Sequence, residues 1–365
     1  MALYQNKKTK KWAYRLSHID ENGERKQKHS KWFNLKKEAK EAEKKYLETV
    51  NDNISNDSIT FEDIWSDYIS LKKERLKITS FESIKKKEKH FKNLFKLKIV
   101  DFDIKEYNKW KKGINKKNYS TTHKNNIYKC LRSALRHGKK YFDINIDKLL
   151  VQMTNFTNPN ELKKEMKFFT YEDFNKFISV ENDLTYKVFF ETLYFCGLRL
   201  GETLALNWAD IEYVSDDLIR IKVSKTLTEK IKGEKYVILP PKTKSSNRIL
   251  PIKNKKLILG LKQIKEKAMT LYGFEDKWFI FGNVYPLAET TLQKRKNENC
   301  KKAGVQRIRI HDFRHSCASL LINKGASIAL VSRYLGHTDI ATTLNIYSHM
   351  FKSELEDIAI ELSDL

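Results

Sequence analysis

The chain is 365 residues long and carries 71 Lys and Arg against 46 Asp and Glu, a formal net charge of +25. This length allows two or three domains. No run of about 18 apolar residues and no signal-peptide core is present, so the sequence predicts a cytoplasmic protein with no membrane partner. The cysteines lie too far apart for a zinc site or a redox pair. They are Cys130, Cys196, Cys300 and Cys317.

The positive charge is concentrated in the N-terminal part of the chain. Residues 1–155 hold 38 basic and 20 acidic residues, whereas residues 156–365 hold 33 and 26. Such an excess favours a polyanionic partner, because each phosphate that is neutralised releases condensed counterions. The alternative is a generally lysine-rich protein whose lysines cover solvated faces.

The first 52 residues have the pattern of a small separate module. From Trp12 to His18, bulky and smaller or charged residues alternate, which predicts a strand with one buried face. Asn22-Gly23 then predicts a hairpin turn into a second strand that ends at Trp32-Phe33. Asn34 can cap a helix that has apolar residues at helical spacing. These residues are Leu35, Ala39, Ala42, Tyr46 and Val50.

The basic side chains of this module are expected to stay outside its small core. A basic β-ribbon is a shape that fits a DNA major groove. The alternative is a basic module that aids solubility or binds protein. The DNA-binding candidates here are Arg15, Lys26 and Lys28.

Residues 51–56 predict a linker, and a helical block follows as far as residue 155. Thr60 starts its first helix, and further helical patterns cover residues 83–97, 104–112 and 121–141. On the last of these helices three residues can face inward, namely Tyr128, Leu131 and Leu135. The phosphate-binding candidates are Lys124, Arg132, Arg136 and Lys139. An ordinary solvated bundle is the alternative.

A second linker is predicted at residues 151–165. Thr170 with Asp173 then predicts a capped helix start, and a later apolar helix leads to Gly197-Leu198-Arg199. Glycines at 197 and 201 allow a tight turn from which Arg199 can project, with Glu202 placed to orient it. A structural ion pair is the alternative for Arg199.

A β region follows. Residues 218–225 alternate apolar and polar, and residues 236–239 are expected to pair with residues 248–252 around the loop from Pro240 to Asn247. After the β region the sequence predicts a helix over residues 257–271 and a short buried strand or turn at residues 278–282. A basic helix is predicted over residues 292–303.

Polar groups gather toward the C-terminal end. On a helix, His311, Arg314 and His315 share one face. A second helix is expected to stop at Gly336, which leaves His337 at the mouth of a loop. The next helix, capped by Thr338 or Asp339, carries Ile340, Leu344 and Tyr347 at helical spacing. Each residue alone has an ordinary interpretation, as core or surface, but the ordered set favours a reactive site.

These residues resemble the C-terminal half of the tyrosine recombinases, the phage-integrase family. The likeness covers about residues 165–350. It is carried by His311-x-x-Arg314-His315, Leu335-Gly336-His337, Tyr347, and upstream Gly197-Leu198-Arg199-Leu200-Gly201-Glu202.

The resemblance implies a multidomain α+β fold. Residues 1–52 would form an arm-type DNA-binding domain with a three-stranded sheet and a helix, and residues 57–155 a helical core-binding bundle. Residues 165–365 would form a mainly α catalytic domain with a small antiparallel sheet.

The implied chemistry is DNA strand cleavage that leaves a 3′-phosphotyrosyl link and a free 5′ hydroxyl. Arg199 and Arg314 would stabilise the phosphate while Tyr347 attacks it. His311 is the base candidate, and His337 would donate to a non-bridging oxygen.

The catalytic lysine that the resemblance implies is Lys242, which would protonate the leaving oxygen. Lys244, on the same loop, is a rival and also a candidate for contact with the DNA backbone. No metal or cofactor is expected, because the sequence has no H-E-x-x-H, no clustered carboxylates and no P-loop.

The sequence therefore predicts an integrase that inserts a phage or other mobile element. The implied partners are double-stranded core and arm attachment sites, a homotetramer on DNA, a DNA-bending host protein and an excisionase. The alternatives are a chromosome-dimer-resolving recombinase, a type IB topoisomerase-like enzyme and a non-catalytic DNA-binding regulator. Residues 353–365 predict an amphipathic helix that docks on its own domain or on a neighbouring subunit.

Overall fold

The computed structural model describes residues 3–6, 9–19, 25–51, 58–161, 166–229, 233–241 and 244–347. Tertiary contacts divide the chain into two compact units, Met1–Lys163 and Lys164–Leu365. The predicted Asn22-Gly23 turn and the tail at residues 353–365 lie outside the described residues. So do residues 52–56 of the linker predicted at 51–56, whereas Asn51 is the last residue of α1.

The first unit begins with an antiparallel sheet of three strands, in the order β1-β2-β3. These strands are β1 (Leu3–Gln5), β2 (Trp12–Ile19) and β3 (Arg25–His29), and α1 (Lys36–Asn51) follows them. Ala13, Tyr14 and Leu16 of β2 are buried together with Ala39 of α1. The sheet and helix predicted for this region are confirmed, and β1 adds the strand that only the resemblance had implied.

A helical bundle completes the first unit. Its helices are α2 (Phe61–Arg75), α3 (Ile78–Lys85), α4 (Lys92–Phe95), α5 (Ile104–Asn115), α6 (Thr121–Tyr141) and α7 (Asp147–Gln152). Thr60 and Asp63 form the capping box at the start of α2.

The helix expected over residues 83–97 is instead broken between α3 and α4. Phe81 and Phe91 are both buried. Between the two helices, the N–H groups of Lys87, His90 and Phe91 donate to the carbonyls three residues earlier at 2.8–2.9 Å. These 3-10 bonds separate α3 from α4.

The second linker begins later than predicted. Met153 and Phe156 are buried in the bundle core. The side-chain amide of Asn125 accepts from the Phe156 N–H at 2.7 Å and donates to its carbonyl at 3.0 Å. The hydroxyl of Tyr128 donates to the Met153 carbonyl at 3.0 Å. These contacts attach residues 153–156 to the bundle, so the linker predicted from Val151 was wrong over this part.

The second unit is mainly helical. Its helices are α8 (Tyr171–Ser179), α9 (Leu184–Cys196), α10 (Leu200–Leu204), α11 (Lys255–Met269), α12 (Glu289–Ala303), α13 (Asp312–Asn323), α14 (Ile328–Leu335) and α15 (Ile340–Tyr347). The ring of Phe313 on α13 lies 5.5–5.6 Å from the rings of Phe169, Phe177 and Phe190. This aromatic core fixes the position of α13.

The β region of this unit contains β4 (Ile211–Ser215), β5 (Leu218–Val223), β6 (Thr226–Thr228), β7 (Val237–Leu239) and β8 (Arg248–Ile252). Strands β4, β5 and β8 form an antiparallel sheet, and β6 pairs with β7. The predicted pairing of β7 with β8 is therefore wrong. Strand β8 pairs with β5 because both alternate, which puts Ile219, Ile221, Leu250 and Ile252 on the buried face.

Residues 278–282 form the short buried segment that was predicted, with Phe279 bridged to Asn207. Among the described residues, no helix is long and apolar enough to cross a membrane.

Candidate active site

Arg199 projects from the tight turn between α9 and α10. Gly197 ends α9 with a φ of 59°, and a Cβ there would lie 2.5 Å from Cδ2 of Leu335. Glycine is thus required both by the left-handed backbone and by the close packing. The Arg199 guanidinium donates to Oε1 of Glu202 at 2.6 Å, while its side chain stays 38% exposed. This guanidinium is oriented yet accessible to a ligand.

Arg314 joins two turns of the site. Its side chain is buried at 3% exposure, and it donates to the carbonyls of Gly197 at 2.8 Å and Leu335 at 2.6 Å. Burial, followed by repulsion from Arg199, lowers the pKa of Arg314 to about 9. The guanidinium still carries its charge at neutral pH. It therefore places a fixed positive charge between the Arg199 turn and the Gly336-His337 turn.

Arg248, at the start of β8, is a site residue that the sequence analysis missed. It donates to Oε2 of Glu202 at 3.1 Å and to the carbonyls of Tyr334 at 3.0 Å and Ser246 at 3.2 Å. Burial favours the neutral form of Glu202, but Arg248 and Arg199 outweigh it and hold the pKa of that carboxyl below its ordinary value. Alternate residues of β8 face the core, and Arg248 is on the same face as the buried Leu250 and Ile252. This alternation could have identified Arg248 as an inward-facing residue.

The predicted shared face of His311 and His315 is confirmed. Their rings lie 5.3 Å apart in an edge-to-face arrangement. The hydroxyl of Tyr347 lies 2.6 Å from Nδ1 of His315, and the tyrosine side chain is 1% exposed. The residue at the phenol is thus His315, with His311 behind it at the exposed start of α13. The sequence analysis had grouped His315 with these residues but assigned it no role.

The electrostatics of this group follow from burial. Burial, then repulsion from His311, lowers the pKa of His315 to about 4, so its imidazole is neutral at pH 7. Burial also raises the pKa of Tyr347 above its ordinary value, although the charge of Arg314 opposes this shift. The phenol is therefore protonated at rest.

His337 lies at the start of the loop that follows α14, as the sequence predicted. Gly336 ends α14 with a φ of 71°, and Nδ1 of His337 is 2.8 Å from Oγ1 of Thr343 on α15. Burial, followed by repulsion from Arg314, lowers the pKa of His337 to about 4. A neutral imidazole is thereby held against the helix that carries Tyr347, where the charges of Arg314 and Arg199 act on it.

The lysine loop adjoins this turn. Lys242 lies outside the described residues, and Lys244 begins a short 3-10 turn, Lys244–Ser246. Oγ of Ser245 lies 3.1 Å from Oγ1 of Thr338, and a Cβ on Gly336 would lie 3.0 Å from the carbonyl oxygen of Ser245. Ser245, next to Lys244, therefore packs against the turn at Gly336.

The DNA-binding candidates differ in their surroundings. Arg15 pairs with Glu74 and Gln27, and Arg132 donates to the Tyr128 hydroxyl at 2.6 Å. Intramolecular contacts also hold Lys124, with Asn115, and Lys139, with Asp147. Lys28 and Arg136 are exposed, and the side chains of Lys26 and Lys244 lie outside the described set. Four of the predicted candidates thus make contacts within the chain.

The cysteines Cys130, Cys196, Cys300 and Cys317 are buried free thiols. In the part of the chain that the structure describes, no group of three His, Cys, Asp or Glu side chains could hold a metal ion.

Two family models match the chain. Residues 164–354 match the Phage integrase family, and residues 2–50 match an Arm DNA-binding domain. The family model alone covers more than half of the 365 residues.

Individual relatives agree with this match. The ICEBs1 integrase of Bacillus subtilis (strain 168) is 32% identical over 248 residues, which cover 65% of this chain and 66% of the relative. The integrase of Staphylococcus phage L54a is 23% identical over 364 residues, 88% of this chain and 98% of that protein. The chain spans 57–66% of the length of four curated relatives, including the one from Bacillus.

Among solved structures, the Tn1549 transposon integrase in complex with a circular intermediate DNA has a TM-score of 0.66 at 20% identity. The match covers 82% of this chain and all of that one, and it shows a shared fold. The fold class and the resemblance predicted from the sequence are both confirmed: the chain belongs to the phage integrase family of tyrosine recombinases.

Proposed function

We propose that this protein is a site-specific DNA recombinase, an integrase that cuts and rejoins DNA through a 3′-phosphotyrosyl intermediate on Tyr347. One observation carries the proposal: Arg314 bridges the turns that present Arg199 and His337, and its charge acts on the phenol of Tyr347. Family membership supports the same chemistry.

The arginines suit phosphodiester cleavage. As the phenolic oxygen approaches phosphorus, negative charge grows on the phosphate oxygens, and fixed guanidinium groups stabilise that charge. Arg199 is the accessible member of the pair and Arg314 the buried one. Together with His337 they would orient the phosphate in line with Tyr347.

The leaving 5′ oxygen needs a proton, which we assign to Lys242, with Lys244 as the rival donor. The phosphotyrosyl ester retains the energy of the original phosphodiester bond. A 5′ hydroxyl from a second DNA end can therefore attack it and rejoin the strand without ATP.

Cleavage requires a rearrangement around Tyr347. The phenol is almost fully buried, so a DNA phosphate must gain access to it. We infer that binding of the attachment site exposes Tyr347 toward Arg199 and Arg314.

We assign three domains: residues 1–52 to the arm site, residues 57–155 to the core site and residues 165–365 to catalysis. The match to an Arm DNA-binding domain over residues 2–50 supports the first of these. The proposed partners are core and arm attachment sites, three further copies of the chain, a DNA-bending host protein and an excisionase. The proposed location is the bacterial cytoplasm, on the nucleoid.

The experiment starts from a core site selected from random DNA with the full chain. Supercoiled plasmids that carry two such sites are then incubated with the protein. An integrase yields exchanged products, whereas a topoisomerase relaxes the plasmid without exchange and a regulator leaves it unchanged. A chromosome-dimer-resolving enzyme would exchange the sites without any need for arm sequences. Relaxation alone, or binding without any covalent product, would overturn the proposal.

A further inference from the structure

The segment between α12 and α13 carries two arginines that lie outside the site described above. Ile308 and Ile310 are each 2% exposed, whereas Arg307, Arg309 and His311, which alternate with them, are exposed. The isoleucines thus point into the core, and the three basic residues share the outer side of the segment. This outer side ends at the start of α13, beside the candidate active site.

The buried side of this segment is held in place by α12. Lys296 is 2% exposed, and its ammonium donates to the carbonyl of Ile308. The N–H of Val305 donates to the carbonyl of Cys300 at 3.1 Å. A buried ammonium is costly unless it is hydrogen-bonded, so the contact with a backbone carbonyl favours one fixed position of the segment. The exposed side chains therefore extend from a backbone that is already fixed.

Asp312 orients the guanidinium of Arg309. The carboxylate of Asp312 accepts from Nη2 at 2.7 Å, from Nε at 3.1 Å and from the Arg309 backbone N–H at 2.7 Å. The side chain of Asp312 is 3% exposed, whereas that of Arg309 is 76% exposed. The carboxylate engages one edge of the planar guanidinium, so the other N–H donors of Arg309 face away from it. These donors are accessible to a ligand.

Arg309 belongs to the same electrostatic group as the two arginines of the site. Desolvation lowers the pKa of His311 below its ordinary value, and repulsion from Arg314, Arg309 and Arg199 adds to this shift. Three guanidinium charges thus act on one imidazole. A DNA strand carries a phosphate about every 3.4 Å along the helix axis. A strand whose scissile phosphate lies at Arg199 and Arg314 would therefore bring adjoining phosphates close to this group.

The ion pair of Arg309 with Asp312 suits ligand binding better than stability. A salt bridge with an exposed arginine is screened by water and contributes little to the free energy of folding. Holding that arginine in one rotamer also costs side-chain entropy. The same restriction favours binding, because a side chain already held in place loses less entropy when a ligand arrives. A guanidinium matches phosphate oxygens through two parallel hydrogen bonds.

We propose that Arg309 binds a backbone phosphate that flanks the scissile phosphate, and that Asp312 is the positioning residue that holds Arg309 for this contact. The inference rests on the recombinase function proposed above. A phosphate contact carries no sequence information, but it fixes the register of the protein on the duplex. Arg309 therefore helps to set which phosphate meets Tyr347.

The test pairs a change in the protein with a change in the DNA. Cleavage of a nicked suicide substrate by wild type locates the scissile phosphate in the core site. Duplexes are then made in which one flanking phosphate at a time is a methylphosphonate, which has no negative charge. Their affinity for the full chain is measured by gel-shift titration in a Tyr347→Phe background, so that binding is separated from cleavage.

We expect one flanking methylphosphonate to weaken binding of the chain with Arg309 about tenfold, the scale of a lost hydrogen bond to a charged group. In Arg309→Gln the same change in the DNA should have almost no effect, because the partner of that phosphate is already missing. On unmodified DNA, Arg309→Gln should reduce the slope of log affinity against log salt by about 0.9.

Arg220→Gln is the matched control. Arg220 also forms an ion pair with a carboxylate, that of Glu212 at 3.3 Å, and both side chains are exposed. The substitution removes the same charge from a different part of the catalytic unit. This variant should keep the full sensitivity to the flanking methylphosphonate, which would show that the loss of net charge is not the cause.

A double variant separates positioning from charge neutralisation. If Asp312 acts through Arg309, Asp312→Asn should weaken binding about threefold, the scale of ordering one long side chain. The double variant Arg309→Gln with Asp312→Asn should then bind no more weakly than Arg309→Gln alone. If Arg309 only neutralised the charge of Asp312, removal of that carboxylate would restore wild-type binding.

Three results would overturn the proposal. They are equal sensitivity of both proteins to every flanking methylphosphonate, wild-type affinity and salt slope in Arg309→Gln, and recovery of wild-type binding in the double variant. Each of them leaves the recombinase function standing as long as wild type forms the covalent complex. The proposed function fails separately, if wild type forms no covalent complex on the suicide substrate.

Discussion

Nη2 of Arg248 lies 3.1 Å from Oε2 of Glu202, and the two side chains are 7% and 5% exposed. The other carboxylate oxygen of Glu202 binds Arg199. One buried carboxylate therefore connects Arg248, at the start of β8, to Arg199 in the turn between α9 and α10.

Replacement of this carboxylate should reduce stability in a pH-dependent way. Glu202 has a folded-state pKa below its ordinary value of 4.5. Its contribution is therefore complete above pH 4.5 and is lost as the pH falls through the lower folded value. We expect Glu202→Gln to lower the free energy of unfolding by about 1–3 kcal/mol at pH 7. Urea unfolding at pH 7 and pH 4 should show a smaller gap to wild type at pH 4. An equal gap at both values would contradict the proposed role of its charge.

Arg314→Lys should impair both cleavage and stability. A lysine ammonium cannot reproduce the planar fork that reaches the carbonyls of Gly197 and Leu335 together. We expect a loss of at least about 10²-fold in covalent complex formation and a lower melting temperature. Arg333→Lys, at an exposed position on α14, is the matched control and should leave both unchanged. A near-normal rate in Arg314→Lys would assign Arg314 a purely structural role.

The two loop lysines can be distinguished by the leaving group. On ordinary suicide substrate we expect Lys242→Ala to lose at least about 10²-fold in cleavage and Lys244→Ala to lose no more than a fewfold. The substrate with a bridging 5′ sulfur should restore the rate of Lys242→Ala, because a thiolate leaves unprotonated. The opposite pattern would make Lys244 the acid.

Deletion of residues 1–52 should spare cleavage of a short core site and impair recombination between full attachment sites. This module has its own sheet and helix, and it contains none of the residues that surround Tyr347. Gel shifts of the deletion variant and of the full chain, on DNA with arm repeats or scrambled repeats, measure the effect. If the full chain binds both DNAs equally, only general phosphate attraction is left for the module.

Local signals made much of the fold predictable. Thr60 and the pair Thr170 with Asp173 marked helix starts, and in the structure Thr60 forms a capping box with Asp63 and Thr170 with Asp173. Gly336 marked a helix end and adopts the left-handed conformation there. Such features depend on residues within one turn of each other, so sequence spacing is sufficient to find them.

Long-range relationships were harder to predict. The pairing of β8 with β5 rather than β7 depends on which apolar faces meet in the core, and a short strand has several possible partners. Arg248 alternates with the buried residues of β8, but its bonds to Glu202 and Tyr334 span 46 and 86 residues, so its partners could not be read from the local pattern. Helical spacing placed His315 beside His311, but its contact with Tyr347 depends on how α13 packs against α15.

The central claim is that the hydroxyl of Tyr347 is the nucleophile. The most direct measurement is covalent attachment of the protein to a nicked suicide substrate, followed by digestion and identification of the modified residue. Wild type should yield a phosphotyrosyl peptide that contains Tyr347. Tyr347→Phe should bind the same DNA with unchanged affinity and form no adduct, because only the attacking oxygen is removed. An adduct formed by Tyr347→Phe, or a label on another residue of wild type, would contradict the account.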